Sequence, residues 1–217
     1  MSTERHGTAY GAWVIPSRIP LDGDSVVYSG GVGENATFDA ALIDKYGCNV
    51  FAFDPTPRAI TYAGTIDDPR FHFLPVGVWS EDSMQEFEPP ANPERVNHSI
   101  GSLRGSTGGF TAQCRSLESL MRELGHSDLA LLKLDIEGAE YEVLRSLDWR
   151  RVRPRALCFE VHGGLIRSLR LIRFLRQQGY VPVAVDGWNV TMSLAGAGVR
   201  RAERAPRRSD AGLGSVF

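Results

Sequence analysis

An uninterrupted apolar run, Leu129-Ala130-Leu131-Leu132, is broken by Lys133 and resumes at Leu134. It then gives way to Asp135, Ile136, Glu137, Gly138, Ala139 and Glu140. A run without alternation reads as a strand buried on both faces of a parallel sheet. The same pattern recurs. Ser25 to Tyr28, Asn49 to Phe53, Phe71 to Val76 and Ala156 to His162 read as further buried strands. Between them, apolar residues at helical spacing predict helices. Phe38, Ala41 and Leu42 lead to Gly47, and Ser116 caps a helix carrying Leu117, Leu120, Met121 and Leu124 that ends at Gly125. Val143, Leu144 and Leu147 mark another, and Leu165, Leu169 and Ile172 mark the last, ended by Gly179. Tyr180–Val185 and Trp188–Leu194 flank Asp186-Gly187, a hairpin signal, and Trp188, Val190, Met192 and Leu194 alternate along the final strand.

Strands alternating with helices describe one α/β domain over residues 25–194. Residues 1–24 lack periodicity and are expected to form a short lid or to wrap the domain. Residues 84–114, interrupted by Pro89, Pro90, Pro93, Gly101, Gly105, Gly108 and Gly109, are expected to be an irregular insertion on the substrate side. The tail from 195 to 217 reads as poorly ordered.

Composition narrows the class. The chain has 217 residues, a net charge of -2 and 42% hydrophobic content, which suits a single soluble domain. No apolar stretch is long enough for a membrane span, and no signal peptide opens the chain. Cys48, Cys114 and Cys158 are odd in number and scattered, so they read as reduced thiols of a cytoplasmic protein. The near-neutral charge makes no electrostatic case for nucleic acid as a partner.

Candidate chemistry gathers where strands end, since ligands of open α/β sheets bind at the carboxyl edge. Ser29-Gly30-Gly31-Val32-Gly33-Glu34-Asn35 follows the first strand and opens a helix, a layout that lets backbone approach a nucleotide closely. Asp54 ends the next strand about twenty residues on, where an acid meets ribose hydroxyls. Alternatively it caps a helix that Thr56-Pro57 starts. Val78 and Trp79 would flank an adenine, or Trp79 packs at the rim. Asp135 lies at a strand end, while Glu137 and Glu140 also suit the N-terminus of the next helix. His98, Ser99 and Arg104 in the irregular segment, with Glu137, are candidates for touching substrate. His162 and Asp135 are candidates for a general base, histidine because its ordinary pKa lies near neutrality. Asp135, Glu137, Glu160 and His162 could also gather a divalent metal, although a metal-free site is the expectation.

The glycine loop, Phe53-Asp54-Pro55, Lys133-Leu134-Asp135-Ile136-Glu137-Gly138-Ala139-Glu140 and Phe159-Glu160-Val161-His162 together resemble the FkbM-type methyltransferases, a branch of the class I S-adenosylmethionine-dependent enzymes. The resemblance implies a Rossmann-like sheet of seven strands, the last antiparallel, with helices on both faces. It implies S-adenosyl-L-methionine as cofactor and a small-molecule acceptor whose hydroxyl, on a sugar or natural-product scaffold, is methylated. Cofactor binding would fall to Ser29, Gly31, Gly33, Glu34, Asp54, Val78, Trp79 and Asp135. Class I enzymes often carry an acid two residues before the first glycine of the Gly-x-Gly pair. Here Ser29 holds that position, so the contact near the methionine end is absent or supplied by Glu34 or Asp135. Two rivals remain. Gly31-Val32-Gly33-Glu34-Asn35-Ala36 also matches a nicotinamide-dinucleotide fingerprint, and the fold is open to a non-catalytic binding protein.

Overall fold

Alternate residues of neighbouring strands face opposite ways, and this builds two cores from one sheet. Val27, Leu131, Ala156 and Cys158 enter one core, and Tyr28, Leu132, Leu157 and Phe159 enter the other. A sheet covered on both faces needs apolar residues at every position, which is why its strands read as continuous runs. The computed structural model describes residues 2–88, 99–100 and 109–196.

The chain runs β1 (Thr3–His6), β2 (Trp13–Pro16), β3 (Val26–Gly30), α1 (Thr37–Tyr46), β4 (Asn49–Phe53), α2 (Pro57–Ala63) and β5 (Phe71–Leu74). It continues through β6 (Gly77–Val78), β7 (Ser83–Glu88), β8 (Ser99–Ile100), β9 (Phe110–Arg115), α3 (Leu117–Leu124) and β10 (Leu131–Leu134). The remaining elements are α4 (Glu140–Ser146), β11 (Ala156–Glu160), α5 (Leu165–Gln177), β12 (Tyr180–Asp186) and β13 (Asn189–Leu194).

The main sheet has seven strands in the order β12-β13-β11-β10-β3-β4-β5. Strands β5, β4, β3, β10 and β11 are mutually parallel, and β13 is antiparallel to both neighbours. The chain leaves β3 toward β4 on one side and returns to β10 on the other. The crevice for a ligand therefore opens between the carboxyl ends of β3 and β10. Several local signals hold. Ser116 Oγ accepts from Ser119 N–H at the start of α3, and Gly47 and Gly125 close α1 and α3 in the left-handed region.

Five details differ from the sequence pattern. Residues 3–16 form an antiparallel hairpin whose Trp13 and Ile15 are buried in the α1-side core. Thr191 Oγ1 donates to Val14 O at 2.6 Å, tying the hairpin to β13. The segment from 84 to 114 is bounded by paired strands. β7 and β9 are antiparallel, with Phe87 opposite Phe110, and β6 pairs with β9. The inward positions of β7 are Ser83, Gln85 and Phe87, while Met84 is exposed. Its alternation is one of burial and not of residue type, so hydropathy hides it.

In α5 the helix is present but its face is shifted. Leu171 and Leu175 are buried with Ser168, whereas Leu165 and Leu169 are exposed. The turn between β12 and β13 is Gly187-Trp188, one residue later than read, with Asp186 paired to Asn189 and Gly187 at φ 63. Strand β13 does not alternate because it lies between β11 and β12, and Val190 to Ser193 are all buried.

The three cysteines are free and buried, and among the described residues no helix is long and apolar enough to cross a membrane.

Tyr28, at the floor of the larger core, pairs its hydroxyl with His126 Nδ1 at 2.8 Å, and Phe51 packs between His126 and His72. Burial, and then the charge of His72, hold His126 below its ordinary pKa. The unfolded chain therefore binds the proton first as pH falls. Stability from this group is complete above about pH 6.5 and is lost below it. Acidification from about pH 7.5 to about 5.5 should lower the melting temperature more in the wild type than in His126→Gln, since the other titrating groups are common to both. Parallel calorimetric melts of the two proteins check this, and equal losses would refute it.

Candidate active site

A cavity of about 490 Å³ opens at the carboxyl edge of the sheet. The glycine loop forms its centre. Gly31 has φ 75, and a Cβ there would stand 1.7 Å from the carbonyl oxygen of Asp135. Only glycine lets the loop cross the end of β10 so closely. Gly31 N–H donates to Phe53 O at 2.9 Å, which fixes the loop against β4.

Asp54 ends β4 and is 5% exposed. Its Oδ2 accepts from Gly33 N–H at 2.9 Å, and its Oδ1 accepts from Thr56 N–H at 2.9 Å and from Thr56 Oγ1 at 2.6 Å. Thr56, not Asp54, caps α2. The carboxylate therefore stands inside the cavity, braced on the glycine loop.

On the β4 side, Val78 and Phe87 line the cavity. Trp79 does not. Its backbone N–H donates to Arg115 O at 2.9 Å, and it belongs to the junction of β6 with β9. Phe53 of β4 also lines the cavity, and Phe87 is stacked on Phe110 with centroids 5.1 Å apart. Glu34 lines the cavity but pairs with Arg58 at 2.7 Å. Ser29 is fully buried beneath the loop. Its hydroxyl lies near Asp39 without closing a hydrogen bond.

The other wall is made by Lys133, Asp135, Glu137 and Glu160. Glu137 has φ 54 and, among the described residues, is the non-glycine position with positive φ. Such strain concentrates at functional sites. Glu140 is 2% exposed and organises this loop. Its Oε1 accepts from Ile136 N–H at 2.8 Å, and its Oε2 accepts from Gly138 N–H at 3.0 Å and from His162 Nδ1 at 3.3 Å. It thus ties the loop down; it does more than favour the helix N-terminus.

His162 is surrounded by acids. Its Nε2 lies 3.5 Å from Glu160 and 3.7 Å from Glu137. The hydrogen bond it donates to Glu140 raises its pKa, with the Glu140, Glu160 and Glu137 charges adding to this against the cost of burial. His162 therefore keeps its proton at neutral pH. Its ring lines a small side pocket with Glu140 and Arg167, outside the main cavity. Both facts argue against the expected role of His162 as general base. Glu160 faces the cavity, and burial, then the neighbouring Asp135 carboxylate, hold its pKa well above the carboxylate range. Glu137, Glu160 and His162 also hold ligand atoms within 4.8 Å of one another, close enough to share one metal ion.

Of the expected substrate residues, His98 and Arg104 lie outside the described residues. Ser99 falls in β8, opposite Glu88. Residues to which the sequence assigned no role in the site also line the cavity, among them Tyr10 and Trp13 of the hairpin, Lys133 and Asn189. The signal for Lys133 was available, because a charge interrupting a buried strand is costly without a purpose.

A family model described as the methyltransferase FkbM domain matches residues 25–182. A human protein named probable methyltransferase-like protein 24 is 27% identical over 138 residues, and its rat counterpart is 26% identical. These matches cover 63% of this chain but 32% of each relative, so the chain spans about a third of their length. Among solved structures, a precorrin-6y methyltransferase from Geobacter metallireducens aligns at 12% identity and a TM-score of 0.47, covering 82% of this chain and 85% of that one. Aeropyrum pernix fibrillarin, solved with bound S-adenosyl-L-methionine, aligns at 14% identity and 0.44, covering 80% and 66%. The family match spans most of the chain, from β3 into β12, and takes in the glycine loop, Asp54 and the acidic wall: the protein belongs to the methyltransferase FkbM domain family.

Proposed function

We propose that the protein transfers a methyl group from S-adenosylmethionine to a hydroxyl of a small molecule, on a sugar or natural-product scaffold. The observation that carries this reading is the cavity itself. One wall offers a buried acid braced on a glycine loop, and the other gathers carboxylates where an acceptor would meet the methyl group. Membership of a methyltransferase family and the antiparallel β13 set aside the nicotinamide reading.

The cofactor supplies an electrophilic methyl group on a sulfonium. The residues present fit it. Gly31 and Gly33 let backbone approach, and Asp54 Oδ2, which accepts from Gly33 N–H, has a second lone pair for a ribose hydroxyl. Transfer is an in-line displacement, so the acceptor oxygen must be held opposite the sulfur. A neutral hydroxyl needs its proton accepted. Glu160 suits that role, because its raised proton affinity brings it toward the working pH. The positive charge of His162 lies behind Glu160 and Glu137, balancing part of the acidic wall.

The test of the whole reading is incubation with S-adenosylmethionine and hydroxyl-bearing compounds, scored by a mass gain of about one methylene on a product. Cofactor binding without turnover on any of them would support the non-catalytic alternative.

Asp54→Ala should raise the dissociation constant for S-adenosylmethionine roughly tenfold or more, the worth of a hydrogen bond to a charged group. Calorimetry checks this, with a melt to show that the lost brace on Gly33 has not unfolded the protein. Glu160→Gln should lower kcat by ~10²–10⁴-fold at nearly unchanged cofactor affinity. The acidic limb of the wild-type rate profile should reflect Glu160, which works only when deprotonated. Asp135→Asn removes a charge that holds the Glu160 proton on, so at saturating cofactor the limb should move to lower pH. A limb that stays in place would show that another group accepts the proton.

A further inference from the structure

We propose that Lys133 and Asp135 together bind the amino-acid end of the cofactor, Lys133 through the methionyl carboxylate and Asp135 through the methionyl ammonium. This rests on the methyl-transfer reading above and adds to it the residues that hold one end of the cofactor.

Lys133 sits in a strand whose other residues are 0–1% exposed, and is itself 5% exposed. Burying an ammonium is costly unless its hydrogen bonds and charge are met. Its Nζ donates to Gly31 O at 2.6 Å and reaches Gly30 O at 3.3 Å, so it lies directly under the glycine loop. The ring of Trp13 covers it at 5.9 Å. An ammonium has three N–H donors, and the two carbonyls do not exhaust them. Asp135 follows two residues later on the same side of β10, with an oxygen 3.7 Å from Nζ. That separation exceeds a direct hydrogen bond. The pair stands side by side, facing the same cavity.

A cation and an anion so placed match an α-amino acid, which presents a carboxylate and an ammonium from one carbon. The pair also lies at the right end of the cavity. Asp54 ends β4 and Asp135 follows β10, on opposite sides of β3, so they are two strand spacings or about 10 Å apart. The ribose and the methionine of the cofactor fall at those two ends.

The placement explains the departure at Ser29. A hydroxyl stands where an acid was expected, and it is buried out of reach. Glu34 is engaged by Arg58. In this chain the polar contacts for the amino-acid end come from β10 instead of β3.

The experiment compares dissociation constants of the full chain for three ligands. S-adenosylmethionine has both groups, decarboxylated S-adenosylmethionine keeps the ammonium alone, and 5′-methylthioadenosine lacks the amino acid. The wild type should bind the decarboxylated compound roughly tenfold or more weakly than the parent. Lys133→Met should weaken binding of the parent by a similar factor and leave methylthioadenosine within about twofold. If Lys133 only clamps the loop, the variant weakens all three ligands alike, and that result overturns the proposal. Equal wild-type affinity for the parent and its decarboxylated form also overturns it, whether or not the variant folds. A wild type that binds methylthioadenosine but not the parent defeats the methyl-transfer reading. Binding of the parent with no discrimination defeats the Lys133 assignment alone.

Discussion

The site depends on one close crossing. The peptide at Gly31 passes over the end of β10 with no room for a side chain, because a Cβ would overlap the carbonyl of Asp135. That contact brings the loop after β3 and the loop after β10 into one cavity. Three bonds hold it from different sides. Phe53 O takes the Gly31 N–H, Gly31 O takes the Lys133 ammonium, and Asp54 takes the Gly33 N–H. The loop is thus suspended between its two neighbouring strands, and each of those strands ends in a carboxylate that faces the cavity.

The acidic wall follows a different logic. Four carboxylates within a few residues of two strand ends would repel one another. Glu140 escapes this by accepting backbone N–H groups at Ile136 and Gly138, and His162 answers part of the remaining charge. The left-handed backbone of Glu137 belongs to the same loop and turns the chain sharply into α4. A strained residue held by a buried acid is a costly arrangement, of the kind retained where geometry serves chemistry.

Much of this was legible in the sequence. The buried strands, the glycine loop, the acid at position 54 and the Lys133–Glu140 segment lie close to where their patterns put them, because each depends on local rules of burial and turn geometry. What was hidden depends on long-range contacts. Strand β7 carries Ser83 and Gln85 inward, which no hydropathy pattern marks. The exposed Leu165 and Leu169 resemble a core face until the packing of α5 is known. The raised proton affinity of His162 comes from three acids on separate elements, which the residue type alone does not reveal. Between the two readings of Trp79, packing at the rim fits its absence from the cavity, and Phe87, which no local pattern marks, lines the cavity from the small sheet of β6, β7, β8 and β9.

The outermost strand of the main sheet has a consequence beyond catalysis. β12 exposes Val181 and Val185 along an open edge, an apolar ladder that invites another chain to add a strand. Pro182 removes one donor from that ladder, and the register shifts between Pro182 and Ala184. At the opposite border β5 is four residues long. One border is therefore interrupted by a proline and a register shift and the other is short, features that discourage another chain from adding a strand.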